Sequence, residues 1–191
     1  MLLLPQLTVG TGIILASAIK APVSPWISRK IVHIGVGTLL IHADVADPEV
    51  VAGIYTVGTA AAGYTVFKGI NQISKGRETE GPIKDIGVFG YTMACMTALV
   101  LSVSYSDMAP LFYADPAGAI VGRSFNTTEI YDGKSIGGTT TVFATAALTT
   151  DGGLEEKVMA GIMIALIELF GGKIDNSLIA LFLIWKALHQ V

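Results

Sequence analysis

Ile86-Gly87-Val88-Phe89-Gly90-Tyr91-Thr92-Met93-Ala94-Cys95-Met96-Thr97-Ala98-Leu99-Val100-Leu101-Ser102-Val103-Ser104-Tyr105 is a run of twenty residues without a charge. An α-helix needs roughly 20 predominantly apolar residues to cross about 30 Å of hydrocarbon. Several other runs approach that length. Of the 191 residues, 52% are hydrophobic and only 14% are charged, and the mean hydropathy is +0.64. That balance lies outside the usual range of a soluble globular domain. The expectation is an all-α protein, a polytopic transmembrane helical bundle of about seven or eight helices, with residues 1–191 forming a single integral membrane domain.

Breaking the hydropathy at charged and Gly/Pro-rich stretches predicts helices at roughly 2–19, 29–44, 48–67, 86–105, 107–123, 138–150, 157–171 and 176–190. The sixth is short and rich in threonine, which suits a packed or partly crossing helix. The first basic residue is Lys20, and Met1-Leu2-Leu3-Leu4 has no charged region or small-residue cleavage signature before it, so the first run is expected to be retained. With an external start and eight crossings, the loops after the first, third, fifth and seventh helices hold Lys20, Arg29, Lys30, Lys68, Lys75, Arg77, Lys84, Arg123, Lys134 and Lys173. That is ten of the twelve basic residues, the asymmetry that marks a cytoplasmic side.

Cys95 is the single cysteine, which rules out an intramolecular disulfide and disfavours a thiolate zinc site. A net charge of −3 argues against general nucleic-acid binding. Small residues from Gly53 to Gly63, and the pair Gly118 and Gly122, offer faces where helices can approach closely. The longest polar loop, about 68–85, is basic and suits contact with anionic headgroups or service as a mobile cover.

Four clusters carry chemistry. In Ala114-Asp115-Pro116-Ala117-Gly118-Ala119-Ile120-Val121-Gly122-Arg123 an acid sits in an apolar segment, where an unpaired carboxylate is costly. Asp115 is therefore read as functional, against a structural partner for a buried Arg or Lys. Pro116 lacks an amide hydrogen, and Gly118 and Gly122 lack bulk, so a phosphate could approach the backbone. The second cluster, Asp132-Gly133-Lys134-Ser135-Ile136-Gly137-Gly138-Thr139, is a glycine-rich turn leading into a helix. Open amides, the Lys134 ammonium and the Ser135 and Thr139 hydroxyls suit an anion; a bland glycine-rich connection is the competing reading. Gly133-Lys134-Ser135 resembles the end of a Walker loop, but Thr128 stands where the upstream glycine is required, so a P-loop is rejected. In the third cluster, Ser28-Arg29-Lys30-Ile31-Val32-His33, Arg29 and His33 share a helical face. They point into a site, or else Arg29 and Lys30 set topology and His33 packs in the core. The fourth, Glu168 through Ser177, offers Asp175 and Asn176 as oxygen ligands for Mg²⁺ or as caps of the last helix.

Taken together and in this order, the clusters resemble the polyprenol kinase family, which includes dolichol kinases, phytol kinases and CTP-dependent diacylglycerol kinases. The resemblance spans roughly residues 26–185. It implies that Arg29, Lys30, Asp115, Gly122 and Arg123 belong to a nucleotide-transfer site and that Lys134, Ser135 and Gly138 form a phosphate loop. Departures stand at Asn126, where many relatives have glycine, and at Gly137, where diacylglycerol and dolichol kinases often have glutamate.

The function expected on this basis is transfer of the terminal phosphate of a nucleoside triphosphate, CTP favoured, to the hydroxyl of a membrane lipid alcohol such as phytol, geranylgeraniol or dolichol. Mg²⁺ would join the triphosphate to Asp115 and Asp175 or Asn176. Arg29, Lys30, Arg123 and Lys134 would hold the phosphates, with Gly118, Gly122, Ser135, Gly138, Thr139 and His33 around them, at the cytoplasmic face. Asp132, Glu168 and Asp175 are the candidate bases. One alternative is a phosphatidate cytidylyltransferase, although the long C-terminal signature of those enzymes is missing from this sequence. The other is a small transporter using Asp115, His33 and Glu168 as an ion path.

Overall fold

A computed structural model describes residues 24–67 and 85–189. The chain divides into two compact units, Met1–Leu101 and Ser102–Val191. Among the described residues there are seven α-helices, one 3₁₀ turn and one two-stranded hairpin.

The first unit contains α1 (Pro25–Ile41), α2 (Pro48–Phe67) and α3 (Ile86–Val100). Helix α1 starts where Ser24 accepts the Ile27 amide and Pro25, which has no amide hydrogen to leave orphaned, takes the first turn. It ends at His42, whose ring nitrogen Nδ1 lies 2.8 Å from the Thr38 carbonyl. Asp85 caps α3 through the Val88 amide at 3.1 Å. Tyr91 ties α3 to α1, since its hydroxyl donates to the His33 carbonyl and its ring meets the His33 imidazole edge-on at 4.4 Å. Gly58 lets α2 lie against α3, because a Cβ there would stand 2.9 Å from the Met96 sulfur.

The second unit runs α4 (Ala109–Ser124), β1 (Glu129–Tyr131), β2 (Lys134–Ser135), α5 (Ile136–Thr149), α6 (Leu154–Phe170), the 3₁₀ turn Gly172–Ile174 and α7 (Asp175–His189). Glycine sets the spacing of α4 and α5. A Cβ on Gly138 would lie 3.0 Å from the Gly118 carbonyl and 3.3 Å from the Gly122 Cα. One on Gly118 would run into Val142, so backbone meets backbone at this crossing. At the next crossing, Gly161 of α6 accepts the Phe143 ring and carbonyl of α5 in the same way. The core between these helices is Phe112, Met108, Leu111, Val142, Ile164, Ile179 and Leu183, all fully buried.

The hairpin is a sequence-local event. Asp132 and Gly133 both have positive φ, at 43° and 76°, the conformation a two-residue turn of the primed type requires. The Gly133 amide also donates to Glu129 Oε1 at 2.8 Å. The strands pair antiparallel, with Tyr131 opposite Lys134.

Against the expectations, the all-α class holds, with the hairpin added. The predicted helix 86–105 stops at Val100. Beyond it Ser102 takes a φ of 56°, and Ser104 accepts the Ser106 amide, so side-chain hydroxyls compete with the helical ladder. The helix predicted from 29 starts four residues earlier, at Pro25, so Arg29 and Lys30 lie in its second turn rather than at its start. No described helix is long and apolar enough to cross a membrane. Six of the seven have 14 to 17 residues, a rise of about 21–26 Å, and α2 is diluted by Glu49, threonines and glycines. The predicted helix 2–19 and most of the loop 68–85, including Lys68, Lys75, Arg77 and Lys84, lie outside the described residues.

The glycine crossing yields a prediction about stability. Gly138→Ala forces α4 and α5 apart and should cost about 1–3 kcal/mol. Gly63→Ala meets nothing within 4 Å, lies mid-helix and should gain about 0.5–1 kcal/mol. Thermal midpoints of the two purified variants check this, and the reverse order would contradict the packing described.

Candidate functional site

Three acids on three elements of the second unit come together. Asp115 lies midway along α4, Glu168 in the last turn of α6, and Asp175 at the first position of α7. One carboxylate oxygen of each lies within 4.8 Å of the others, and the three residues are only 8%, 5% and 5% exposed.

The local chain explains each placement. Asp115 precedes Pro116, which removes one hydrogen bond from the α4 ladder and costs about 3 kcal/mol in a helix interior. Asp115, Gly118 and Gly122 share the face turned to α5. Glu168 sits at a helix C-terminus, where the helix dipole opposes a negative charge, so helix stability does not account for it. Asp175 is brought back beside Glu168 by the corner Gly171-Gly172. A Cβ on Gly171 would stand 2.9 Å from the Asp175 Cα, and Gly172 has φ 57°, a conformation that costs other residues about 1–2 kcal/mol.

Lys134, from the hairpin, forms an ion pair with Glu168. The Lys134 ammonium thus meets one of the three carboxylates. Two like charges about 5 Å apart repel by about 3–4 kcal/mol at an effective dielectric near 20. The oxygen donors of the cluster could hold a hard cation. Beside it, Asn176 is 7% exposed, and its Oδ1 is buried with no hydrogen-bond partner among the described residues. Asp175 Oδ1 also accepts the amide of the next residue, Asn176, at 2.7 Å.

The remaining residues singled out from the sequence are placed as follows. Gly118, Gly122 and Gly138 face one another, and the room their missing side chains leave is taken by the opposing helix. The first three amides of α5 are already engaged: Ile136 donates to the Thr128 carbonyl, Gly137 to Thr127 Oγ1 at 3.0 Å, and Gly138 to Ser135 Oγ at 3.2 Å. Ser135 is thus the N-cap of α5. Thr139 Oγ1 is buried without a hydrogen-bond partner among the described residues. Arg123 is exposed in the last turn of α4, about 12 Å along the axis from Asp115 by helical rise. Asp132 stands exposed at the hairpin tip. Arg29, Lys30 and His33 lie half-buried on α1 of the first unit, with His33 packed against Tyr91.

Comparison with protein-family models, curated proteins and solved structures finds no match to this chain.

Removing one partner of the Lys134–Glu168 pair strands a buried charge. Lys134→Met should lower stability by about 1–2 kcal/mol, discounted because the Lys134 side chain is 31% exposed. Adding Glu168→Gln should recover at least half of that loss. A double-mutant cycle by denaturant or thermal unfolding measures the coupling, and strictly additive effects would contradict the pair.

Proposed function

We propose that this chain is an integral membrane phosphotransferase. It moves the terminal phosphate of a nucleoside triphosphate, with CTP favoured, onto the hydroxyl of a membrane lipid alcohol, with isoprenoid alcohols such as phytol, geranylgeraniol or dolichol favoured. The observation that carries this reading is the meeting of Asp115, Glu168 and Asp175 within 4.8 Å, with Lys134 paired to one of them. The resemblance of the four sequence clusters to the polyprenol kinases supports it.

The residues present fit Mg²⁺. Asp115, Glu168 and Asp175 are hard oxygen donors, and the orphaned Oδ1 of Asn176 adds an amide oxygen beside Asp175. Mg²⁺, when bound, spreads the charge of the phosphate oxygens. The chain's own residues do the rest. Lys134 exchanges its contact with Glu168 for a phosphate oxygen, a charge-assisted bond that positions the triphosphate. Buried surroundings keep water from competing with the lipid hydroxyl. The hydroxyl oxygen forms the new bond to the terminal phosphorus while the bond to the nucleoside diphosphate breaks. The hydroxyl proton passes to a carboxylate of the cluster, with Glu168 and Asp175 standing there and Asp132 away from it at the hairpin tip. No step is assigned to Arg29, Lys30 or His33.

A membrane setting is supported by composition and by the outward faces of α6 and α7. Met159, Ile162, Leu166, Leu181, Trp185 and Leu188 are all exposed, side chains that hydrocarbon would cover favourably. The lipid tail would stay in hydrocarbon while its hydroxyl enters at the cytoplasmic face.

The test is an assay of purified protein with labelled CTP or ATP, Mg²⁺ and a panel of phytol, geranylgeraniol, dolichol, diacylglycerol and phosphatidate. A lipid monophosphate is the expected product, and Asp115→Asn should reduce turnover at least a hundredfold in a folded protein. A CDP-lipid from phosphatidate would establish a cytidylyltransferase instead. Ion flux without any product would establish a transporter.

A further inference from the structure

Beside the ion pair stand two aromatic rings that no step above uses. Tyr131 ends β1 and Phe170 ends α6, and their rings meet edge-to-face with centroids 5.2 Å apart at 63°. Tyr131 is 51% exposed and Phe170 61%, so ring surface stays open to a ligand. Their position is specific to the site. Tyr131 lies across the hairpin from Lys134, and Phe170 follows Glu168 by two residues, so the ring pair and the ion pair both join the hairpin to the end of α6. Lys173, exposed in the 3₁₀ turn, stands three residues beyond Phe170.

We propose that Tyr131 and Phe170 form the nucleobase platform of this site. The planar heterocycle of the nucleoside triphosphate stacks on the open ring surface, and its phosphates reach toward Lys134 and the carboxylate cluster. This rests on the phosphotransfer reading and adds to it the residues that hold the base. The chemistry matches on both sides. A base offers a flat π-face, and each base–aromatic stack is worth about 1–3 kcal/mol. The triphosphate is anionic, and the cations nearest the rings in sequence are Lys134 and Lys173. Because every base has a π-face, the platform supplies affinity and leaves the choice between CTP and ATP to other contacts. It also gives the hairpin a role, because the Asp132-Gly133 turn places Tyr131 and Lys134 opposite one another and so presents ring and cation together.

The test compares Tyr131→Ala and Phe170→Ala with Tyr131→Phe and Phe170→Tyr. In the alanine variants KM for CTP and for ATP should rise roughly tenfold, with kcat and the KM for the lipid alcohol held. The ring-conserving variants should recover most of that affinity. Inhibition by inorganic tripolyphosphate, which has no base, should not change in any of them. Unchanged nucleotide KM in the alanine variants would overturn the platform. So would a rise confined to the lipid KM, or weakened association with vesicles, which would make the rings an interfacial anchor instead. If the parent protein transfers no phosphate, the phosphotransfer reading fails by itself. Direct binding of a non-hydrolysable CTP analogue then decides the platform: binding lost in Tyr131→Ala and kept in Tyr131→Phe supports it, while equal binding or none overturns it.

Discussion

Like charges resist being packed together, and the second unit of this protein packs three. Asp115, Glu168 and Asp175 are buried with their oxygens within 4.8 Å. Two ionised carboxylates about 5 Å apart repel by about 3–4 kcal/mol at an effective dielectric near 20, so the surroundings that hold the three together matter. Close helix packing holds them in place. Gly118 and Gly122 meet Gly138 backbone to backbone, Gly161 takes in Phe143, and the Gly171-Gly172 corner turns α7 back onto the end of α6. The hairpin then delivers Lys134 to Glu168. The helix contacts hold the acids together against their mutual repulsion, and the Lys134–Glu168 ion pair offsets part of it.

Much of the fold was legible in the sequence because helical packing leaves simple marks. The charge-free runs gave the helices, and Gly118 and Gly122 announced a close approach on the face that in fact meets α5. Helix ends were less legible. Ser102 and Ser104 carry no charge to break the run, yet α3 ends at Val100 and Ser104 accepts the Ser106 amide in the turn beyond it. The hairpin went unread although Asp132-Gly133 is a strong two-residue turn signal, because only three and two residues flank it as strands.

The site was legible in part. Asp115 and Asp175 stand out as acids beside apolar segments, and they lie together. Glu168 carries the same signal, an acid near the end of an apolar helix, but what makes it a neighbour of Asp175 is the corner at Gly171-Gly172, and that is a property of three dimensions. The glycine-rich turn read differently from its structure for a related reason. Composition suggested open amides at the start of α5, whereas Thr127, Thr128 and Ser135 occupy them. The amides expected to be open are engaged within the turn itself, and Lys134 is paired to Glu168. Tyr131 and Phe170 were invisible in sequence, separated as they are by the whole of α5 and α6, until the hairpin brought them into contact.

The proposed chemistry depends on the carboxylate cluster taking up a divalent cation. The most direct measurement is binding of Mn²⁺, in place of Mg²⁺, to the purified full chain, followed by electron paramagnetic resonance in the absence of substrates. One protein-bound Mn²⁺ per chain is expected, weakened together by Asp115→Asn and Asp175→Asn and displaced by excess Mg²⁺. No bound Mn²⁺, or binding that survives both substitutions intact, would contradict it.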